Sequence, residues 1–184
     1  MARAALSPAA VVDTAMEIID ERGPESLTLA AVAGRAGVAT PSLYKHVRSL
    51  ADLRGLVSAR VAEELAERSG RAVLGRSADE ATRAFMTAWR EYVQQHPARY
   101  RALIQRPEPH TAEPAERLLG VITATLRAYG LKDSDAIHAA RCLRAAVHGF
   151  AVLEAEGGFG LPEKLDDSYD LLIRMIASGL GTPR

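Results

Sequence analysis

Apolar positions along the chain recur at three- and four-residue spacing, and prolines and glycines cut them into segments of helical length. Val11, Val12, Ala15, Ile18 and Ile19 form one face of a first helix, opened by Ser7-Pro8 and closed by Gly23-Pro24. Thr28 caps a short second helix with Leu29, Val32, Ala33 and Ala36 on one face, and Gly37 breaks it. Thr40-Pro41 repeats the cap-then-proline signal and starts a very short third helix around 42–47. Ser49 to Asp52 resembles a capping box with Asp in place of the usual Glu. It opens a long fourth helix with Leu50, Leu53, Val57, Val61 and Leu65 inward. Ser77-Ala78-Asp79-Glu80 reads as a full capping box for a fifth helix carrying Phe85, Trp89, Tyr92 and Val93. His96-Pro97 ends it, and a sixth helix runs through Tyr100, Leu103 and Ile104. Pro107, Pro109 and Pro114 predict a loop over 106–114. A seventh helix follows over about 115–129, and an eighth, capped by Asp133-Ser134, runs to about 156. Gly157-Gly158-Phe159-Gly160 breaks the eighth, and a ninth covers about 167–179. The pattern predicts an all-α fold of nine helices without a strand.

Composition agrees with that class. Alanine occupies 34 of 184 positions, aromatics are 5%, and asparagine, with its hairpin turns, is absent. The length suits one compact unit or two small ones, since domains run roughly 100–200 residues. No apolar run approaches the ~20 residues of a membrane span, and Met1 to Pro8 has no signal-peptide character. Cys142 is the only cysteine, which excludes an intramolecular disulfide and a Cys-based zinc cluster. A cytoplasmic protein is expected. The formal charge is +0, which argues against a nucleic-acid partner until it is divided along the chain. Residues 22–60 hold six basic side chains against Glu25 and Asp52, a net of +4. From Leu131 onward six basic residues face eight acidic ones, a net of −2. A neutral total thus conceals a basic face near the N-terminus.

Within that basic stretch lies the most specific pattern. A helix-turn-helix needs a small residue where two helices cross, a glycine at the turn and an apolar anchor on the second helix. Ala33, Gly37 and Leu43 fill those places at spacings of 4 and 6. The second helix then turns its start to solvent, and six residues span roughly 9 Å, which fits end-on into a major groove about 12 Å wide. Ala39, Thr40, Pro41, Ser42, Tyr44, Lys45 and His46 make up that tip. Thr28 offers a hydroxyl and helix-start N–H groups to a phosphate, and Tyr44, Lys45, His46 and Arg48 are candidates for phosphates or base edges. The same spacing suits a tight helical hairpin with Tyr44 as a packing residue. Local charge and the polar tip favour DNA.

The run Ser42-Leu43-Tyr44-Lys45-His46-Val47, after Leu29-Ala30-Ala31-Val32-Ala33 and Ala36-Gly37-Val38, resembles the N-terminal domain of TetR-family transcriptional regulators. The resemblance covers 7–60. It implies operator contacts by Thr28, Thr40, Ser42, Tyr44 and His46, with Tyr44 and His46 on phosphates. Many members carry a lysine at the start of helix four; here Leu50 stands there, and Arg48 or Lys45 takes its place. Ala146-Val147-His148-Gly149-Phe150, Leu153-Glu154 and Gly157-Gly158-Phe159 resemble the WHG branch of that family, with Val147 where the branch has tryptophan. The expected domains are a helix-turn-helix domain over 1–50 and a ligand-binding and dimerisation domain over 51–184. The resemblance further implies a homodimer on a palindromic operator, with two recognition helices roughly 34–36 Å apart. A ligand in the C-terminal bundle would shift helix four and release the DNA.

Phe85, Trp89, Tyr92 and Tyr100 gather four of nine aromatics within sixteen residues. Such a cluster is either core or, with Leu103, Ile104, Leu126, Tyr129 and His148, the wall of a cavity for a small apolar or aromatic effector gated by the 106–114 loop. His148 also reads as a structural histidine beside Gly149. On the eighth helix Ala139, Leu143, Ala146, Phe150 and Leu153 form the expected core stripe. The ninth is apolar on more than one side. Tyr169, Leu172, Ile173, Ile176 and Leu180 form a stripe with Leu171 and Met175 beside it, more apolar surface than one small domain needs. That surplus, together with the resemblance, points to a dimer interface. His138 and Cys142 lie one turn apart, too few ligands to close a metal site, and Cys142 reads as a buried small hydrophobe. No cofactor is expected. Nucleophile-elbow, zincin, P-loop and dinucleotide fingerprints are absent, so the rival to a regulator is a helical ligand- or protein-binding bundle without operator affinity rather than an enzyme.

Overall fold

The structure, a computed structural model, describes residues 6–103 and 109–181. Those residues form nine α-helices and no strand: α1 (Pro8–Arg22), α2 (Leu29–Ala36), α3 (Thr40–Leu43), α4 (Leu50–Val73), α5 (Ala78–Gln95), α6 (Pro97–Arg101), α7 (Ala112–Leu126), α8 (Asp133–Ala155) and α9 (Leu165–Gly181). Short 3-10 turns cover Pro24–Ser26, Pro109–Thr111 and Arg127–Tyr129. Among the described residues no helix is long and apolar enough to cross a membrane.

Three starts follow the capping rule. Ser7 Oγ accepts the Ala10 N–H at 3.1 Å, Thr28 Oγ1 accepts from Ala31 at 3.0 Å, and Ser49 Oγ accepts from Asp52 at 3.0 Å. Other boundaries differ from the sequence expectation. The hydroxyl of Ser77 makes no capping bond, and Ala78 has φ +46°, so the expected box is not formed there. Asp133 is already inside α8, with Lys132 at the cap position. α3 begins at Thr40 with Ala39 before it, and Thr40 therefore caps nothing. Pro114 falls in the first turn of α7, where a missing N–H costs little because those groups have no helical partner. Leu103 lies past the end of α6. Ile104 and residues 106–108 of the expected loop lie outside the described residues.

The chain divides into two compact units, Met1–Ala62 with Ala98–Pro114, and Glu63–Pro97 with Ala115–Arg184. The division falls within α4. In the first unit α1 packs on α2 and α2 on α3. Val11, Ile19, Leu27, Val32, Leu43 and Leu53 are fully buried there. Arg99 of α6 closes on Asp20 of α1 through Nε at 2.7 Å and Nη2 at 2.5 Å.

The second unit is built round α5, which packs on both α8 and α9 and buries Ala81, Thr82, Phe85, Met86, Ala88, Trp89, Tyr92 and Val93. On α8 the buried set is Ala139, Ala140, Leu143, Val147 and Ala151. The expected stripe is therefore only half right: Ala146 and Phe150 are half-buried and Leu153 is exposed. The buried residues follow the i, i+4 row of the helix, a ridge that meets a neighbouring helix, rather than the mixed three-four series read from the sequence.

Arg90 of α5 ties these helices together. Its Nε and Nη2 donate to the Glu154 carboxylate at 2.6 and 2.5 Å, and Nη2 lies 2.8 Å from Asp166. The guanidinium also stands over the Phe150 ring at 5.5 Å and the Tyr169 ring at 4.7 Å. Phe150 touches Phe159 (4.9 Å) and Tyr169 (4.8 Å), and Tyr169 Oη donates to the Met86 carbonyl at 2.6 Å. Hydrogen bonding to Glu154 holds the Arg90 pKa above its ordinary value.

Arg90 and Glu154 side chains are only 12% and 10% exposed, and Asp166 stays within 2.8 Å of the guanidinium when Glu154 is removed. Glu154→Ala leaves Arg90 partly compensated and should lower stability by about 1–3 kcal/mol in urea unfolding. The exposed Arg83–Asp170 pair is the control, and Asp170→Ala should cost less than about 1 kcal/mol.

Candidate nucleic-acid interface

The turn between α2 and α3 is set by hydrogen bonding that only glycine permits cheaply. Gly37 adopts φ 65° and ψ 37°, Val38 N–H donates to Ala33 C=O at 3.0 Å, and Gly37 N–H donates to Gly34 C=O at 3.2 Å. This is the paired closure of a Schellman motif, which satisfies the last carbonyls of α2. Ala33 and Leu43 are buried on the inner side, with Val47. After four residues α3 gives way to turns, in which His46 and Val47 N–H groups both donate to Leu43 C=O, at 2.8 and 3.0 Å. The anchor thus fixes where the following side chains emerge.

Those side chains form a polar tip. Thr28, Ala39, Pro41, Tyr44, Lys45 and Arg48 are exposed, and Thr40, Ser42 and His46 are half-buried. Tyr44 is 57% exposed, so its ring is not a packing residue within the first unit. Thr28 spends its acceptor on Ala31, and its hydroxyl proton remains to donate.

The charge at this face differs from the count along the chain. Arg35 is paired with Glu21 and Glu17, and Arg60 with Asp13, all three acids lying on α1 outside the basic window. Lys45 and Arg48 are exposed at the tip. Arg48 is itself held: its backbone N–H meets Asp52 Oδ2 at 2.9 Å, and its Nη2 meets Oδ1 at 2.7 Å. The Asp52 carboxylate also contacts His110 Nε2 at 2.9 Å. The Arg48 guanidinium, then the Arg48 N–H, then His110 hold the Asp52 carboxyl well below the usual carboxylate range. Sequence reading took Asp52 as a cap and missed His110. The legible clue was Gly55, a glycine in the interior of a long helix.

The other candidates fall in both units. Phe85, Trp89, Tyr92 and Leu126 are buried in the second unit, with Phe85 and Trp89 edge to face at 5.5 Å. Tyr92 Oη donates to Glu64 at 2.8 Å, and Tyr129 Oη to Asp79 at 2.7 Å. His148 is half-buried, with its pKa lowered by burial and then by Arg144. Tyr100 and Leu103 belong to the first unit instead. Two hollows in the second unit have other linings. One of about 540 Å³ runs between Ala72, Arg76, Arg83 and Thr87; one of about 170 Å³ lies between Leu143, Met175, Ile176 and Leu180. Cys142 lines the smaller hollow and is exposed, not buried as expected, because it sits off the i, i+4 row that meets α5. On α9 Tyr169, Ile173 and Leu180 are buried within the unit, Leu172 and Ile176 are half-buried, and Leu171 and Met175 are exposed.

Residues 11–54 match the family of bacterial regulatory proteins described as tetR, and residues 82–176 match the tetracyclin repressor-like C-terminal domain. An HTH-type transcriptional regulator of Mycobacterium tuberculosis is 36% identical over 158 residues, covering 84% of this chain and 72% of that one. The HTH-type regulator YobS of Bacillus subtilis is 31% identical over 180 residues, covering 97% and 94%. A solved TetR variant from Acinetobacter baumannii, in complex with minocycline, has the same fold, with a TM-score of 0.74 at 22% identity over 95% of this chain and 96% of that one.

The depressed Asp52 pKa has a pH signature. The ionised group adds stability above the unfolded value near pH ~3.9, and that contribution disappears as pH falls through the lower folded value. Asp52→Asn should therefore lower the urea midpoint at pH 7 and flatten its decline on acidification. An unchanged acid limb would show that Asp52 is not held in this way.

Proposed function

The chain belongs to the TetR family of DNA-binding transcriptional regulators, and from that premise we propose that it is a homodimeric cytoplasmic repressor, released from a palindromic operator by a small apolar effector. The observation that carries the reading is the exposed polar tip on a buried Leu43 anchor. Thr40, Pro41, Ser42 and Lys45 enter the major groove, while Thr28, Tyr44, His46 and Arg48 grip the flanking phosphates. Two such heads, one helical turn of DNA apart, read two half-sites.

The dimer face is the outer side of α8 and α9. Leu171 and Met175 are exposed there, and Leu172, Ile176 and Cys142 extend the same apolar surface. Tyr169, Ile173 and Leu180 support it from within. Effector binding is assigned to the aromatic cluster of α5 with Leu126, Tyr129 and His148. Phe85, Trp89, Tyr92 and Leu126 are buried and closely packed, so an effector binds by opening the cluster and favours the state with the wrong head spacing.

A duplex from the region upstream of the gene tests the reading by anisotropy titration. Affinity should fall steeply between 50 and 200 mM salt, and the bound species should be dimeric. A monomeric or salt-independent complex would overturn it. Tyr44→Ala should weaken binding by roughly tenfold while the helical circular dichroism and unfolding midpoint stay unchanged. Leu171→Glu with Met175→Glu should convert the dimer to a folded monomer in sedimentation. A dimer that persists would move the interface elsewhere.

A further inference from the structure

His110 has no part in any contact proposed above, yet its surroundings are specific. Its ring lies directly on the backbone of α4. A Cβ placed on Gly55 would come within 2.8 Å of His110 Cδ2, 3.6 Å of Cγ and 3.7 Å of Cβ. Glycine is a poor helix former, and α4 carries one here in a buried position. The close approach of the imidazole gives that choice a physical reason.

Seated there, the ring reaches Asp52, one turn earlier on the same face. His110 Nε2 and Arg48 Nη2 share Asp52 Oδ1, at 2.9 and 2.7 Å, and the Arg48 N–H occupies Oδ2 at 2.9 Å. Asp52 N–H is taken by Ser49 Oγ at 3.0 Å. The carboxylate is thus fixed from three directions with only 10% of its side chain exposed, whereas Arg48 is 83% exposed. Arg48 spends two donors on Asp52 and keeps others for a phosphate. A guanidinium held in place loses less rotamer freedom when it meets DNA than a free one.

We propose that His110 is a positioning residue for operator binding, which through Asp52 holds the Arg48 guanidinium ready for a DNA phosphate. This rests on the assignment of Arg48 to a phosphate. The consequence is a residue far along the chain, in the turn Pro109–Thr111, that tunes DNA affinity without touching DNA.

The test is a double-mutant cycle on the same upstream duplex, with the salt dependence of affinity recorded for each variant. Arg48→Ala should weaken binding and reduce the salt slope by about 0.9 per subunit. His110→Ala should weaken binding by roughly tenfold for the dimer, keep the salt slope, and cost nothing further when Arg48→Ala is already present. His110→Gln, whose amide can still donate to Asp52, should recover most of the loss. Gly55→Ala crowds the ring off Asp52 and should reproduce the His110→Ala loss of affinity with the helical circular dichroism retained. If Arg48→Ala leaves affinity and slope unchanged, the phosphate assignment falls and this proposal with it. If Arg48→Ala weakens binding but His110→Ala is neutral, or its loss persists beside Arg48→Ala, the assignment stands and the positioning role is overturned. Wild-type affinity in Gly55→Ala overturns it as well.

Discussion

A guanidinium drawn most of the way out of water must be neutralised, and all its strong donors must be met. That requirement at Arg90 organises the second unit. It brings the Glu154 carboxylate of α8, the Asp166 carboxylate of α9 and two aromatic faces to one point on α5. Each of these partners fixes something further. Phe150 seats Phe159, which positions the turn after α8, and Tyr169 locks the α9 backbone onto the Met86 carbonyl. Most of the residues by which the C-terminal half resembles the WHG branch fall at or beside this cluster. Val147, in the place of the branch's tryptophan, is wholly buried. The signature therefore records how the helices are held, and says little about what they bind.

The first unit is organised by shape more than by charge. Its reading head depends on one backbone conformation at Gly37 and one anchor at Leu43, and the polar tip is whatever those two leave outside. Charged groups then trim the result. Acids on α1 neutralise Arg35 and Arg60, and Asp52 holds Arg48. These contacts join residues far apart in the chain, as with Arg60 and Asp13.

Local signals and non-local ones were unequally legible. Nine helices, the caps at Ser7, Thr28 and Ser49, and the break at Gly37 were all readable, because each depends on residues within one or two turns. The expected box at Ser77 and cap at Asp133 had the right letters, but the backbone turns away at Ala78 and Asp133 before the side chains can close. The α8 stripe went astray because which ridge is buried depends on where α5 crosses, and no local period encodes that. His110 was invisible for the same reason: fifty-eight residues separate it from Asp52. Only Gly55 hinted at it. Tyr44 was readable as exposed, whereas the burial of Tyr169 and Ile173 required knowing that α5 covers one side of α9.

The α1 acids have a kinetic side. Because Glu17, Glu21 and Asp13 cancel two of the arginines of the basic stretch, the attraction that DNA feels at a distance is weaker than the count of basic residues suggests. A head of this kind dwells briefly on arbitrary sequence and slides over short stretches between dissociations. Its search for an operator proceeds mainly by repeated encounters through solution, and its residence on DNA is set by close-range fit.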